Sequence, residues 1–325
     1  MVAESSREEP RDEPREKPLE QSQQEPSEDG LDGLPRGAVV LVGTPIGNLG
    51  DLSPRAVAAL RAADLICCED TRRTRVLLSA AGIPAPPLLA VERHREAAGA
   101  AEAVGRARRG ERVAVVTDAG MPGVSDPGER IVRAAVGAGV PVTAVPGPTA
   151  AVTAVVLSGL AGDRWCFEGF LPRKGRERAA RLAAVAGDAR ATVLYEAPGR
   201  VARTVGDLTA VCGAERDVVA ARELTKLHEE IWRGPLGDAG AWLERCVPKG
   251  EWVLVVAGAV APAVTDDDIL EALARSLLIQ PDRRAAVGAV ARDLGVPRRR
   301  VYELALASRT GRGDSAAGRG DSAGR

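Results

Sequence analysis

Aromatic residues are nearly missing from this chain. Four Trp, two Tyr and two Phe occur among 325 residues. The cores must therefore be Val, Leu and Ala, and a stacking platform for single-stranded nucleic acid is thin. Histidine occurs twice, and the five cysteines (Cys67, Cys68, Cys166, Cys212 and Cys246) show no Cys-x-x-Cys spacing. That argues against a zinc site or a disulfide framework and for reduced thiols. The N-terminus has no apolar stretch of the signal-peptide kind, and no apolar run reaches the about 18 residues that suggest a membrane span. The expectation is a cytoplasmic protein without metal.

What is present is Gly (36), Pro (22) and an apolar fraction of 45%. The net charge of −1 hides an asymmetry. Residues 1–36 carry 5 basic and 11 acidic side chains, and the rest carries 39 and 34, a mildly basic body behind an acidic tail. Residues 1–36 have too little apolar content to offset the entropy of ordering and read as disordered. So do residues 308–325, where GRGDSA occurs twice.

Between the tails, strands and helices alternate. The pattern predicts strands at 38–42, 65–68, 88–91, 112–116 and 140–145. Ser53 caps a helix with Pro54 at its first position, and further helices fall at 71–80, 96–109, 128–138 and 149–158. Short apolar strands between helices predict a parallel sheet covered on both faces. Residues 37–158 form one α/β domain, and Gly159–Asp163 looks like a junction. A second α/β domain over 159–260 follows, then a Pro/Ala linker and a helical module over 266–307 with a helix-turn-helix cadence.

Three loops follow strands of the first domain: Gly43-Thr-Pro-Ile-Gly-Asn48, Thr117–Gly128, and Pro146-Gly-Pro-Thr-Ala150. Each combines Gly for close backbone approach with Pro for stiffness, so it is shaped before any ligand arrives. None is a Walker A loop or a GxGxxG turn. In a doubly wound sheet such loops lie where ligands bind.

The segments LVGTPIGNLGDLSPRA, EDTRRTRVLL, VTDAGMPGVSDPG, VPGPTAAVTAVVLSGL, FEGFLPRKGR, YEAPGRV and ARELTKLHEEIWRG follow one another in order. Together they resemble the bacterial 16S ribosomal RNA (cytidine-2′-O)-methyltransferases of the tetrapyrrole methylase-like superfamily, over about residues 37–305. The resemblance implies two α/β domains in a kidney-shaped arrangement, S-adenosylmethionine in the cleft between them, and a homodimer. It further implies a 16S rRNA substrate within the small ribosomal subunit, methylated on a decoding-region cytidine. Carried over by position, the cofactor loops are Gly43, Thr44, Pro45, Gly47 and Asn48; Asp118, Ala119, Gly120 and Ser125; and Pro146, Gly147, Thr149 and Ala150. Met121 departs from the pattern, which has Thr there, and the long acidic N-terminus is extra.

A sulfonium methyl is already electrophilic, so alignment of nucleophile, methyl and leaving sulfur is the main task. A ribose hydroxyl must also lose its proton. Glu69, Glu196 and Glu223 are the candidate catalytic groups, with Asp70 beside the first. Each also has a structural reading as an ion-pair partner of Arg72, Arg200, Arg222 or Lys226. Phosphate contacts would come from Arg72, Arg73, Arg173, Lys174, Arg222 and Lys226, joined by Arg75, Arg176, Arg178 and Arg298–Arg300. Tyr195 and Phe170 are the candidate stacking rings, and His94 and His228 are supporting or surface groups. Two other readings stay open: a methyltransferase acting on a tetrapyrrole of the precorrin type, and a non-enzymatic RNA-binding protein using the terminal helices.

Overall fold

The computed structural model describes residues 35–91, 96–260 and 264–313, with side chains up to 307. The acidic tail before residue 35, residues 92–95 with His94, and the end of the C-terminal repeat lie outside the described residues.

The first sheet consists of β1 (Val39–Val42), β2 (Leu65–Cys68), β3 (Leu88–Ala90), β4 (Val113–Val115) and β5 (Val142–Val145). Its order is β3-β2-β4-β1-β5, and every pairing is parallel. The strands are apolar on both faces because helices cover both. Val40, Val42, Ile66 and Ala114 pack with α1 (Pro54–Ala62) and α2 (Thr71–Ala80). Val39, Leu65, Cys67 and Val113 pack with α3 (Glu96–Arg108) and α4 (Glu129–Gly137) on the other face. Ser53 caps α1 through Ala56 N–H at 3.1 Å, as its sequence position predicts.

The second sheet contains β6 (Trp165–Phe170), β7 (Ala191–Glu196), β8 (Asp217–Arg222), β9 (Glu230–Pro235) and β10 (Trp252–Val256). Its order is β6-β7-β10-β8-β9. Only β6–β7 is parallel, and the other three pairings are antiparallel. Helices α6 (Gly175–Gly187), α7 (Val201–Cys212) and α8 (Leu236–Leu243) complete this half and build its outer core with Leu171, Leu194 and Leu254.

Helix α5 (Ala150–Ser158) closes the first run of elements but packs against the inner face of the second sheet. Its sequence, AAVTAVVLS, is apolar almost all round. It buries Ala151 and Ala154 among Val193, Val219 and Val255. The two sheets accordingly belong to one compact unit running to Ala259, although the sequence suggests a boundary at Gly159.

From Val260 a second compact unit holds α9 (Asp266–Ile279), α10 (Arg283–Asp293) and α11 (Arg298–Gly313). Thr265 and Asp268 form a capping box at α9, and Ile269, Leu273, Val287, Val290 and Val301 form the core. Helix α11 continues to Gly313, into residues expected to be unstructured. Once nucleated, a helix gains one bond per added residue, and no Pro interrupts this one. The five cysteines are free thiols, and burial pushes Cys67 up to about 12. No helix among the described residues is long and apolar enough to cross a membrane.

Candidate functional site

The three Gly/Pro loops meet because β4, β1 and β5 are neighbours in the sheet. Their backbones bind one another. Thr44 N–H donates to Gly120 C=O at 2.9 Å, Gly120 N–H donates back at 3.1 Å, and Gly43 N–H donates to Val145 C=O at 3.0 Å. A Cβ on Gly43 would stand 2.6 Å from Gly147 Cα, and one on Gly147 would stand 2.8 Å from Gly43 Cα. The close approach that these glycines allow is therefore between two loops. Gly43 also faces the Met121 sulfur, 2.7 Å from that virtual Cβ, so the departure at Met121 fills space beside the glycine pair.

The end of β2 adds an acidic turn. Asp70 caps α2 through Arg72 N–H at 2.8 Å and pairs with the Arg72 guanidinium at 2.7 Å. The Arg72 side-chain bond, with the help of its backbone N–H, holds the Asp70 carboxyl down at about 2. Asp118 accepts from Asp70 N–H and from Arg73, each at 3.2 Å.

One edge of the second sheet faces these loops with different material. Trp252 lies opposite Glu196 on one side and Arg222 on the other. That register brings the segments after β7 and β8 and before β10 together. Glu196 is fully buried. Its Oε1 accepts from Ala197 N–H at 2.8 Å and Arg200 at 3.1 Å, and its Oε2 accepts from Thr204 Oγ1 at 2.6 Å. Glu223 accepts from Lys226 Nζ and from Glu251 N–H, both at 2.8 Å. Burial opposes ionisation of Glu223, but these bonds with the Lys226 and Arg222 charges outweigh it and lower its pKa. Burial likewise opposes the Lys226 charge and is outweighed by Glu223 and Glu251, so its pKa is raised.

Among the described residues, three that are not glycine adopt left-handed backbone: Ser125 (φ 65°), Glu223 (φ 53°) and Thr225 (φ 65°). Such geometry costs about 1–3 kcal/mol per residue and persists where the surroundings enforce it. Here Asn48 N–H donates to Thr225 Oγ1 at 3.1 Å, and Thr225 N–H donates to Glu229 at 2.7 Å. Gly47 lies under the Lys226 stem, where a Cβ would collide with Cγ. The strained loop is thus latched to the first Gly/Pro loop.

Two cavities lie between these edges. The larger, of about 360 Å³, touches Asp118–Gly120, Ser125, Thr149, Ala150, Tyr195 and Glu196. Its acidic lining (Glu69, Asp118, Asp126, Glu196 and Glu251) faces one base, Arg73. The smaller, of about 310 Å³, touches Thr44, Pro45, Gly47, Val76 and Lys226. Arg73, Asp118 and Glu251 border both.

The expected site residues divide accordingly. Asp118, Ala119, Gly120, Ser125, Thr149 and Ala150 line the larger cavity with Glu69 and Glu196. Thr44, Pro45 and Gly47 line the smaller one. Gly43 and Gly147 touch each other, Asn48 is a latch, and Pro146 lines neither cavity. Glu223 lines neither cavity, because its carboxylate turns to Lys226.

Of the expected phosphate ligands, Arg72 is 86% exposed beside Asp70 and Arg73 is bound to Asp118. Arg173, Lys174 and Arg176 are exposed. Arg222 is 13% exposed, paired with Glu230 and placed over the Trp252 ring, so it is a structural cation. Arg178 is buried with Asp207, Thr204 and Pro172 C=O. Arg300 ties α11 to Asp266 and Val264 C=O. Phe170 is 50% exposed at the larger cavity, with its ring edge-on to Tyr195 at 5.6 Å. The Tyr195 hydroxyl accepts from Ala151 N–H at 3.0 Å. His228 is exposed. The sequence reading missed Glu251. No spacing marks it, because its place opposite the latched loop depends on the pairing of β8 with β10.

Residues 38–240 match the family model of the tetrapyrrole (corrin/porphyrin) methylases. A protein named ribosomal RNA small subunit methyltransferase I from Synechocystis sp. is 43% identical over 274 residues, covering 83% of this chain and 98% of its own. Its namesake from Escherichia coli O157:H7 is 41% identical, covering 83% and 95%. Among solved structures, the methyltransferase CobJ superposes with a TM-score of 0.53 at 24% identity, covering 70% of this chain and 97% of its own. Uroporphyrin-III C-methyltransferase from Thermus thermophilus, complexed with S-adenosylhomocysteine, gives 0.51 at 21%, covering 67% and 96%. At these identities the structures establish a shared fold.

Proposed function

The chain belongs to the tetrapyrrole (corrin/porphyrin) methylase family, and from that premise we propose that it methylates a ribose 2′-hydroxyl of small-subunit ribosomal RNA with S-adenosylmethionine. The observation that carries the reading is the match, over nearly their whole length, to relatives named as ribosomal RNA small subunit methyltransferases. A cytidine of 16S rRNA in the assembled subunit is the target, and the working form is a homodimer.

The two cavities suit different ligands. The acidic lining of the larger one favours a ligand with a positive centre, and its size falls within the usual range for small-molecule sites, about 300–1,000 Å³. Asp118 and the backbone of Ala119, Gly120 and Ala150 would hold the cofactor there, with Arg73 meeting its carboxylate. The bound cofactor supplies a methyl group on an electrophilic sulfonium. The smaller cavity, with Lys226 and the Thr44–Gly47 backbone, receives the target nucleoside. Outside, the exposed Arg173, Lys174 and Arg176 follow Phe170 at the cavity edge and reach for phosphates. A basic rim attracts any polyanion, polycarboxylate tetrapyrroles included, so the choice of RNA rests on the named relatives.

The test is transfer of tritiated methyl to small subunits, naked 16S RNA and a precorrin. Label is expected on the subunits, more weakly on naked RNA, and on a 2′-O-methylated nucleoside after digestion. Label confined to the tetrapyrrole overturns the reading, and RNA binding without label favours a binding protein.

A further inference from the structure

The carboxylate that takes the proton of the ribose hydroxyl remains to be assigned, and the meeting of the two cavities narrows the choice. It rests on the reading of the larger cavity as the donor site and the smaller as the nucleoside site. Transfer must then occur where they join. Two carboxylates border both cavities, Asp118 and Glu251. Glu69 and Glu196 touch only the larger. Asp118 is 19% exposed, with one oxygen on Asp70 N–H and the other on Arg73. Glu251 is 60% exposed, and its carboxylate Oε2 meets Lys226 Nζ at 3.2 Å.

The backbone of Glu251 is fixed from both sides. Glu223 N–H donates to Glu251 C=O at 2.9 Å, and Glu251 N–H donates to the Glu223 carboxylate at 2.8 Å. Glu223 itself sits in left-handed backbone, on the loop latched to Asn48. A strained, doubly tied anchor holds one exposed carboxylate at the junction of the cavities.

We propose that Glu251 is the general base of the reaction and that Lys226 positions it. The ribose oxygen bonds to the methyl carbon as the carbon–sulfur bond breaks, and that bond's electron pair stays on sulfur. The hydroxyl proton passes to the Glu251 carboxylate and then to water. Lys226 is not the base, because its two carboxylate partners keep it protonated. The charged groups around the junction are Lys226 and Glu223 from the loop after β8, Arg73 from α2 and Asp118 from the loop after β4.

Three measurements test the assignment. Glu251→Gln lowers kcat on small subunits by about 10²–10⁴-fold and removes the acid limb of its pH profile, while calorimetry still finds one molecule of S-adenosylmethionine bound per chain. Lys226→Met keeps the base and with it that limb, but lowers kcat because the carboxylate loses the ammonium that holds it. In the protein without cofactor, ¹⁵N NMR of the lysine ammonium shows Lys226 titrating lower in Glu251→Gln than in wild type. Wild-type kcat and an intact acid limb in Glu251→Gln overturn the assignment alone. So does a wild-type kcat in Lys226→Met, which decides the matter should Glu251→Gln fail to fold. A wild-type protein that neither takes up the cofactor nor labels subunits overturns the parent reading and this assignment with it.

Discussion

The two sheet edges that enclose the cavities are built on opposite principles. The first is made of backbone: Gly43 against Gly147, and Thr44 bridged to Gly120, with few side chains in the contacts. The second is made of charged side chains: Glu196 with Arg200, Glu223 with Lys226, and Lys226 with Glu251. A backbone edge tolerates almost no added atom, whereas a side-chain edge tolerates volume but not the loss of a partner. Substitutions should therefore damage the two edges in different ways.

The largest effect is expected on the backbone edge. In Gly147→Ala the new Cβ meets Gly43 Cα, C and O at 2.8–3.0 Å, all main-chain atoms. Overpacking of this kind costs about 3 kcal/mol, and the misplaced loops should also abolish cofactor uptake. Thermal melting with calorimetry reads both, and a normal melt with normal uptake would break the contrast.

On the side-chain edge, Glu196→Ala strips buried partners from Arg200 and Thr204. The expected loss is about 2 kcal/mol, measured by urea denaturation. Because Arg200 also donates to Leu171 C=O and Arg178 to Pro172 C=O, the basic loop behind them should loosen too. Hydrogen exchange at residues 171–176 would register that loosening.

A third variant sharpens the comparison by leaving both edges alone. Arg173→Ala with Lys174→Ala removes two exposed cations. The melt should not move, but the slope of log affinity against log salt for RNA should fall by about 1.5, at about 0.7–0.9 per phosphate contact. An unchanged slope would remove these residues from the RNA surface.

The smallest effect concerns Asp70. Its carboxyl sits at about 2 in the folded chain against an ordinary 3.8. A depressed folded value contributes stability that is complete above the ordinary one and is lost as the pH falls from 3.8 to about 2. Asp70→Asn should flatten the fall of the melting temperature in that window, lie slightly below wild type at neutral pH, where the contribution is complete, and converge with it in acid.

The same contrast explains what the sequence could tell. Strand-then-Gly/Pro loops have a local signature, so Gly43–Asn48, Thr117–Gly128 and Pro146–Ala150 stand out from residue order alone. The caps at Ser53 and Asp70 are equally local. The second edge depends on partners far apart in the chain. Glu223 and Glu251 are joined only by the antiparallel pairing of β8 and β10, which no spacing reveals. For the same reason Glu196 and Arg222 look like site residues in the sequence yet are committed to internal partners. The placement of α5 on the second sheet also escaped, because a helix apolar on nearly every side does not say which face it buries.

The central claim is that these two unlike edges enclose one site for a sulfonium donor. Isothermal titration of S-adenosylhomocysteine and S-adenosylmethionine into the purified chain tests it most directly, with Gly147→Ala in parallel. The account predicts saturable binding of one molecule per chain in the wild type and none in the variant. No heat from the wild type, with or without small subunits present, would contradict it.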